Sequence, residues 1–348
     1  MLYIKTIKKG DFLKLKKVII DTDNTMGMNF RWNDDGLAIL YSLGVEEIQI
    51  IGLTTVFGNS SIKNVHKQTK RLLKSINRTD IPIYRGASGK DDVDTTAVEF
   101  LVEQVDSNPG EITIFGLGPL TNLYGAQKID PEFFEKVKEI ILMGGITEER
   151  LTIGRTKIKD VNLRNDLTAA LEVLNAKCPV IIINCHICKD LPLNKEHLKK
   201  LDFWPQIYLS KIKNEFWMHN KIHKIDHIYI WDVLVPVYLT HPEIFKDNPI
   251  HIKASNIEDL QEGSLQETDE AGISVNMPIE VNDEKKFYET IIQTWKNLDK
   301  KVRETEHGYA NFKNGSVGRS LMKALLSVMI PLLLKLMYKK KGDYYYEK

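Results

Sequence analysis

Residues 18–36 read Val18-Ile19-Ile20-Asp21-Thr22-Asp23-Asn24-Thr25-Met26-Gly27-Met28-Asn29-Phe30-Arg31-Trp32-Asn33-Asp34-Asp35-Gly36. The β-branched run 18–20 predicts a buried strand, and it runs straight into a polar loop. The far end of that loop, Asn33-Asp34-Asp35-Gly36, opens a helix over 36–43. This unit of strand, loop and helix repeats along the chain. Further strands are predicted at 48–56, 81–84, 112–115, 140–143 and 180–184, and helices at 62–76, 119–126, 131–138 and 166–176. Such alternation implies parallel strands joined by right-handed crossovers, hence an α/β fold with an open, mostly parallel sheet flanked by helices. A ligand of such a sheet sits beyond the carboxyl ends of its strands, so the polar residues after each strand are the candidates for function. Between 191 and 230 the rhythm breaks into a segment with Trp204, Phe216, Trp217, His219, His223, His227 and Tyr229, read as helical cover over the strand ends.

Asp21, Asp23, Asp34 and Asp35 converge at one strand–helix junction. Crowded carboxylates repel one another and hold protons more tightly unless a cation lies among them. Asp-rich oxygen donors suit Ca²⁺ or Mg²⁺ better than a transition metal. The competing account is that Asp34 or Asp35 caps the helix while Asp21 bonds the loop backbone.

The arrangement resembles the nucleoside hydrolases, whose opening motif is Asp-x-Asp, a short Gly-containing loop, Asp-Asp and a small-residue helix. Thr54-Thr55-Val56-Phe57-Gly58-Asn59 and Ile81-Pro82-Ile83-Tyr84-Arg85-Gly86 continue the likeness, followed by Gly116-Leu117-Gly118-Pro119-Leu120-Thr121-Asn122. Then come Ile141-Leu142-Met143-Gly144-Gly145, Asp160-Val161-Asn162 with Asn165-Asp166, and Trp231-Asp232 before Pro236. The ordered landmarks span residues 17–300, which makes this the catalytic domain and 301–348 a C-terminal extension. The resemblance implies Ca²⁺-dependent hydrolysis of the N-glycosidic bond of a ribonucleoside to free base and ribose. It implies that Asp23 is a metal ligand that also deprotonates the attacking water, and that Asp35, Asp232 and the Leu117 carbonyl complete the metal site. It places Asp34, Asn59, Asn162 and Asp232 on the ribose, Asp160 at the 5′-hydroxyl, and Asp21 in support of the loop. A homodimer or homotetramer is implied as well.

The residue types suit that chemistry. Cleaving the bond builds positive charge on the ribose, which surrounding acids stabilise. Buried Asp and Asn acceptors left unpaired by a deoxyribose would discriminate strongly against it.

Three features depart from the family pattern. The loop from Asp23 to Asp34 is longer than the compact form and holds Met26, Met28, Phe30, Arg31 and Trp32, a subfamily trait that would add lid contacts to the base. Trp231 stands where many members have a leaving-group His; it cannot titrate, but an indole stacks on a base, as in purine-preferring members, or simply packs in the core. Asp160 is one methylene shorter than the usual Glu, Gly154 replaces an Asn, and residues 147–157 are rich in charge, so the 5′ pocket is expected to differ.

The composition narrows the remaining classes. Lys plus Arg number 48 and Asp plus Glu 47, a balance that argues against a nucleic-acid binder. Cys178, Cys185 and Cys188 with no charged-then-apolar leader point to a cytoplasmic address. Cys185-His186-Ile187-Cys188 lacks a second cluster for zinc, and His219, His223 and His227 read as a solvated lid surface, with metal capture or proton donation to the leaving base as alternatives. Residues 299–348 carry eleven bases against five acids, so the even total averages an acidic body and a basic tail. Residues 319–341 hold six Lys or Arg and no acid around an apolar run at 324–334. As a helix that run spans about 16 Å, too short for a bilayer. Such a segment suits peripheral contact with an anionic membrane, or else a final helix packed on the domain or on another subunit.

Two rival functions fit parts of the sequence. Asp21-Thr22-Asp23-Asn24-Thr25 matches the Asp-x-Asp-x-Thr signature of haloacid dehalogenase-like phosphatases, but the later landmarks have no place there. A catalytically weakened homologue that binds a ribosyl compound at a membrane surface is motivated by Asp160, Gly154 and the tail.

Overall fold

The computed structural model describes residues 15–147, 151–154, 156–269 and 272–305. Its first half is the expected alternation. In order it comprises β1 (Lys16–Thr22), α1 (Asp34–Gly44), β2 (Ile48–Thr55), α2 (Ile62–Ser75), β3 (Ile83–Arg85), α3 (Thr96–Ser107), β4 (Ile112–Gly116), α4 (Thr121–Ile129), α5 (Phe133–Lys136) and β5 (Glu139–Met143). A small hairpin, β6 (Leu151–Ile153) and β7 (Thr156–Ile158), precedes α6 (Leu167–Leu174) and β8 (Val180–Ile183). The cover consists of α7 (Cys185–Lys189), α8 (Lys195–Lys199) and α9 (Gln206–Ile222), followed by α10 (Leu234–Thr240). The chain then forms β9 (Phe245–Lys246), β10 (Pro249–Lys253), β11 (Gln266–Glu267), β12 (Ile273–Asn276), β13 (Glu280–Val281) and α11 (Glu284–Arg303).

The main sheet has the order β11-β10-β12-β8-β5-β4-β1-β2-β3. The strands from β8 to β3 are parallel, as predicted, and β12 joins β8 in the same sense. Beyond it the alternation fails: β10 runs antiparallel to both β12 and β11. The sheet is buried on both faces. Val18 and Ile20 of β1 join one core with Leu37, Tyr41 and Trp295, whereas Ile19 faces a second core with Phe100, Leu123 and Phe133. That inside–outside alternation explains why the parallel strands read as continuous apolar runs.

The chain leaves β1 for β2 and β3 on one side and returns to β4 on the other, so the carboxyl ends of β1 and β4 flank a topological switch point. Asp21 pairs in register with Thr54 of β2 and Gly116 of β4, which sets the three strand-end motifs side by side. No described helix is long and apolar enough to cross a membrane. The tail at 319–341 and the charged positions Glu148, Glu149, Arg150 and Arg155 lie outside the described residues.

Candidate active site

Where β1 ends, the acidic loop folds inward. Asp21, Asp23, Asp34 and Asp35 are all buried, as is Asp232, which sits in a short 3₁₀ turn at Trp231–Val233. Asp34 and Asp35 occupy the first turn of α1, where unpaired amides and the helix dipole favour negative charge. Asp34, Asn59, Leu117, Asp160, Asn162, Trp231 and Asp232 line one pocket, so seven of the ten predicted site residues meet there. Asp21, Asp23 and Asp35 stand behind them.

Each of those three is anchored. Oδ1 of Asp21 accepts from the Thr54 hydroxyl (2.6 Å) and the Asn122 amide (2.7 Å). Oδ2 of Asp23 accepts from the Asn59 backbone N–H (2.5 Å) and Oδ1 from its side-chain amide (2.9 Å). Oδ1 of Asp35 accepts from the Thr22 hydroxyl and from the Asp23 N–H (3.2 Å). One oxygen from each of Asp34, Asp35 and Asp232 lies within 4.8 Å of the other two. Asp34 joins this group, and Asp23 stands beside it, bonded to Asn59 and in contact with the Asp35 carboxyl.

Burial raises the pKa of every one of these acids: Asp21 to about 7 and Asp35 to about 6, with Asp23, Asp34 and Asp232 also well above the ordinary carboxylate range. The charge of Asp35 adds to the rise at Asp23 and at Asp34, and that of Asp34 to the rise at Asp232. Oδ1 of Asp34 is buried without a hydrogen-bond partner among the described residues. An all-oxygen set with surplus negative charge and an unsatisfied acceptor fits a hard divalent cation.

The Asn162 amide donates to the carbonyls of Leu117 (3.2 Å) and Met143 (3.0 Å), holding both at the pocket. Asp160 accepts from the backbone amides of Gly145 (2.9 Å), Leu163 (2.7 Å) and Arg164 (3.1 Å), so its short side chain organises the pocket wall. Gly154 lies away from this wall, in the β6–β7 turn; with φ at +57°, a Cβ there would fall 2.0 Å from the His223 carbonyl. The packing, and not the pocket, therefore excludes an Asn at that position.

Helix α9 covers the acidic loop, as expected of this segment. The Asn33 amide donates to Oε2 of Glu215 (2.5 Å), Lys211 donates to Asn29 (2.7 Å), and the His219 ring meets Trp32 edge-on at 4.7 Å. Trp32 and Trp231 both line the pocket, with ring centroids 6.3 Å apart. The solvated histidine surface is corrected: His219 and His223 are buried, and the helix ends at Ile222, so the three histidines share no helical face. Nδ1 of His219 faces the His227 carbonyl at 3.1 Å, and Nδ1 of His223 faces the Thr156 hydroxyl at 3.0 Å. Glu215 escaped sequence reasoning, although a lone acid among Ile212, Phe216 and His219 on one helical face was the available signal.

The profile of the inosine-uridine preferring nucleoside hydrolases matches residues 18–302. Uridine nucleosidase 1 of Arabidopsis thaliana is 30% identical over 273 residues, covering 69% of this chain and 78% of its own length. The inosine-uridine preferring nucleoside hydrolase of Crithidia fasciculata is 27% identical over 233 residues, 58% of this chain and 71% of its own. Among solved structures, a purine-preferring ribonucleoside hydrolase from Gardnerella vaginalis superposes with a TM-score of 0.71 at 19% identity, over 81% of this chain and 99% of its own. A plant nucleoside hydrolase gives 0.69 at 23% identity, over 80% and 98%. The match leaves the phosphatase reading of Asp21 without a basis, and the chain belongs to the inosine-uridine preferring nucleoside hydrolase family, hydrolases acting on N-glycosyl bonds.

Proposed function

We infer that this protein is a Ca²⁺-dependent ribonucleoside hydrolase, and the observation that carries the reading is the buried oxygen cluster of Asp34, Asp35 and Asp232 at a pocket edged by two indoles. Asp23, Asp35, Asp232 and the Leu117 carbonyl would hold the ion, with Asp34 close enough to share it. When bound, such a cation lowers the pKa of water and neutralises the acids around it. Asp23 takes the proton of the attacking water; its burial and the Asp35 charge raise its affinity for that proton. Asn59 fixes both oxygens of Asp23 and so sets the direction from which the proton is taken.

Asp34, Asn59, Asn162 and Asp232 accept and donate to the ribose hydroxyls, and their negative members stabilise the charge that grows on the sugar. Asp160 shapes the end of the pocket that receives the 5′-hydroxyl. Trp231, backed by Tyr229 at 4.7 Å, and Trp32 flank the base, an arrangement that favours a purine without excluding uridine. A homodimer or homotetramer, a cytoplasmic salvage role and peripheral membrane contact through 319–341 complete the reading.

Replacing Asp23 tests it. The Asp23→Ala protein is expected to release reducing sugar from inosine and uridine about 10³-fold more slowly than wild type in Ca²⁺-containing buffer. A wild-type rate would overturn the assignment.

A further inference from the structure

Helix α2 carries Lys63, His66, Lys67, Lys70, Arg71 and Lys74, and no acid. Ile62, Val65, Leu72 and Leu73 are buried, while Lys63, Lys67, Lys70, Arg71 and Lys74 are exposed. Steps of four, three, one and three residues set the exposed cations in a single stripe about 16 Å long. With His66 and Arg85, the last residue of β3, the stripe lines a groove at the edge of the sheet.

Some bases elsewhere on the surface are neutralised: Lys136 lies between Asp106 (2.7 Å) and Asp130 (2.8 Å), and Lys286 bonds Glu243 (2.7 Å). Among the described residues, none of the stripe cations or Arg85 has an acidic partner. The pairs Lys63/Lys67, Lys67/Arg71 and Lys70/Lys74 are like charges one turn apart, which opposes helix formation. His66 registers the local field, its pKa lowered first by burial and then by Lys70 and Arg85.

The position of the stripe matters as much as its charge. Two residues past α2, the Asn77 amide lies 3.5 Å from the Thr305 hydroxyl, at the end of the described chain. The sequence that continues from there, 306–348, has eight Lys or Arg against three acids and the apolar run 324–334.

We propose that the basic face of α2 is a docking surface for an anionic lipid bilayer. Lysine-rich point charges suit a fluid layer of anionic headgroups. A single-stranded nucleic acid would call for aromatic platforms, and the groove lining holds none beyond His66.

The test uses the full-length protein and co-sedimentation with vesicles of phosphatidylcholine, alone or with about 30% phosphatidylserine. The wild type is expected to bind the anionic vesicles at least about tenfold more tightly than the neutral ones, and to lose that preference as salt rises from about 0.1 M to about 0.5 M. Lys63→Gln, Lys67→Gln, Lys70→Gln and Lys74→Gln combined should weaken anionic-vesicle binding at least about tenfold, with nucleoside hydrolysis and circular dichroism unchanged. The double variant Lys63→Gln, Lys74→Gln gives an intermediate loss and serves if the fourfold variant fails to fold. Equal binding by wild type and variants, or no preference for phosphatidylserine, overturns the proposal. So does displacement of the wild type from vesicles by single-stranded RNA that the fourfold variant does not bind, which would assign the stripe to nucleic acid.

Discussion

Around Asp23 the backbone leaves almost no slack. Gly58, at φ +151°, packs so close that a Cβ would fall 2.0 Å from Oδ2 of Asp23, and the next residue, Asn59, holds both carboxylate oxygens. A methyl group there must displace the carboxylate or the loop that orients it. Gly58→Ala is therefore expected to cut kcat by about 10²-fold, the scale of an ångström-sized misplacement, in steady-state assays with inosine. A much smaller drop in thermal stability should accompany it, because the fold tolerates a loop shift that the proton transfer does not. The sequence made the acids legible as residue types, since four of them crowd one junction. It did not reveal which oxygens point where, because Asn59 could be recognised as a polar residue after a strand but its two hydrogen bonds to Asp23 depend on loop geometry.

Helix α9 shows what periodicity can conceal. Its spacing of His219 and His223 looked like a polar face, yet it turns His219 and Glu215 inward over the acidic loop. Burial pushes the pKa of His219 down to about 3 and that of His223 to about 4, from 6.5. Below pH 6.5 the unfolded chain takes up protons that these folded histidines refuse, so stability falls as pH drops from about 6.5 toward 4. Each buried histidine contributes about 1 kcal/mol per pH unit in that range. Glu215, 3.9 Å from His219, acts in the opposite sense, since burial raises its pKa and the folded state keeps its proton above the usual value. His227, the other titratable ring nearby, is only half-buried and has a pKa lowered mainly by burial. His219→Gln should flatten the decline in melting temperature between pH 6.5 and 5, measured by thermal scans; an unchanged slope would show that His219 titrates normally.

The elements themselves were legible in proportion to their burial. Strands β1, β2, β4, β5 and β8 announce themselves because a parallel strand covered on both sides needs apolar residues at every position. Helix α3 received no assignment because its valines at 98, 102 and 105, though at helical spacing, are residues that favour strands, and its start depends on the Thr95 side chain accepting from the Val98 N–H. The antiparallel edge of β10, β11 and β12 was missed for a related reason. Its strands are short and only half-covered, so none forms a continuous apolar run.

Across the whole molecule, charge is sorted by place. The carboxylates gather at the carboxyl ends of β1 and β4, and a stripe of unopposed lysines runs along the edge of the sheet beyond β3. The acidic end should depend on its cation: chelation is expected to abolish hydrolysis and lower the melting temperature, with Ca²⁺ restoring both better than Mg²⁺, which tolerates fewer protein oxygens. The basic end should be separable from catalysis. The family match stops at residue 302, α11 ends at Arg303, and Leu298 and Val302 pack in the core shared with Leu37 and Tyr41 of α1. A chain ending at residue 305 is therefore expected to hydrolyse nucleosides at the wild-type rate and to melt within about 2 °C of wild type, the range of changes away from a core. Its binding to anionic vesicles should fall while remaining salt-sensitive, because the α2 stripe stays behind. Loss of hydrolysis on this truncation would instead place the extension within the working enzyme, as a subunit contact or a wall of the pocket.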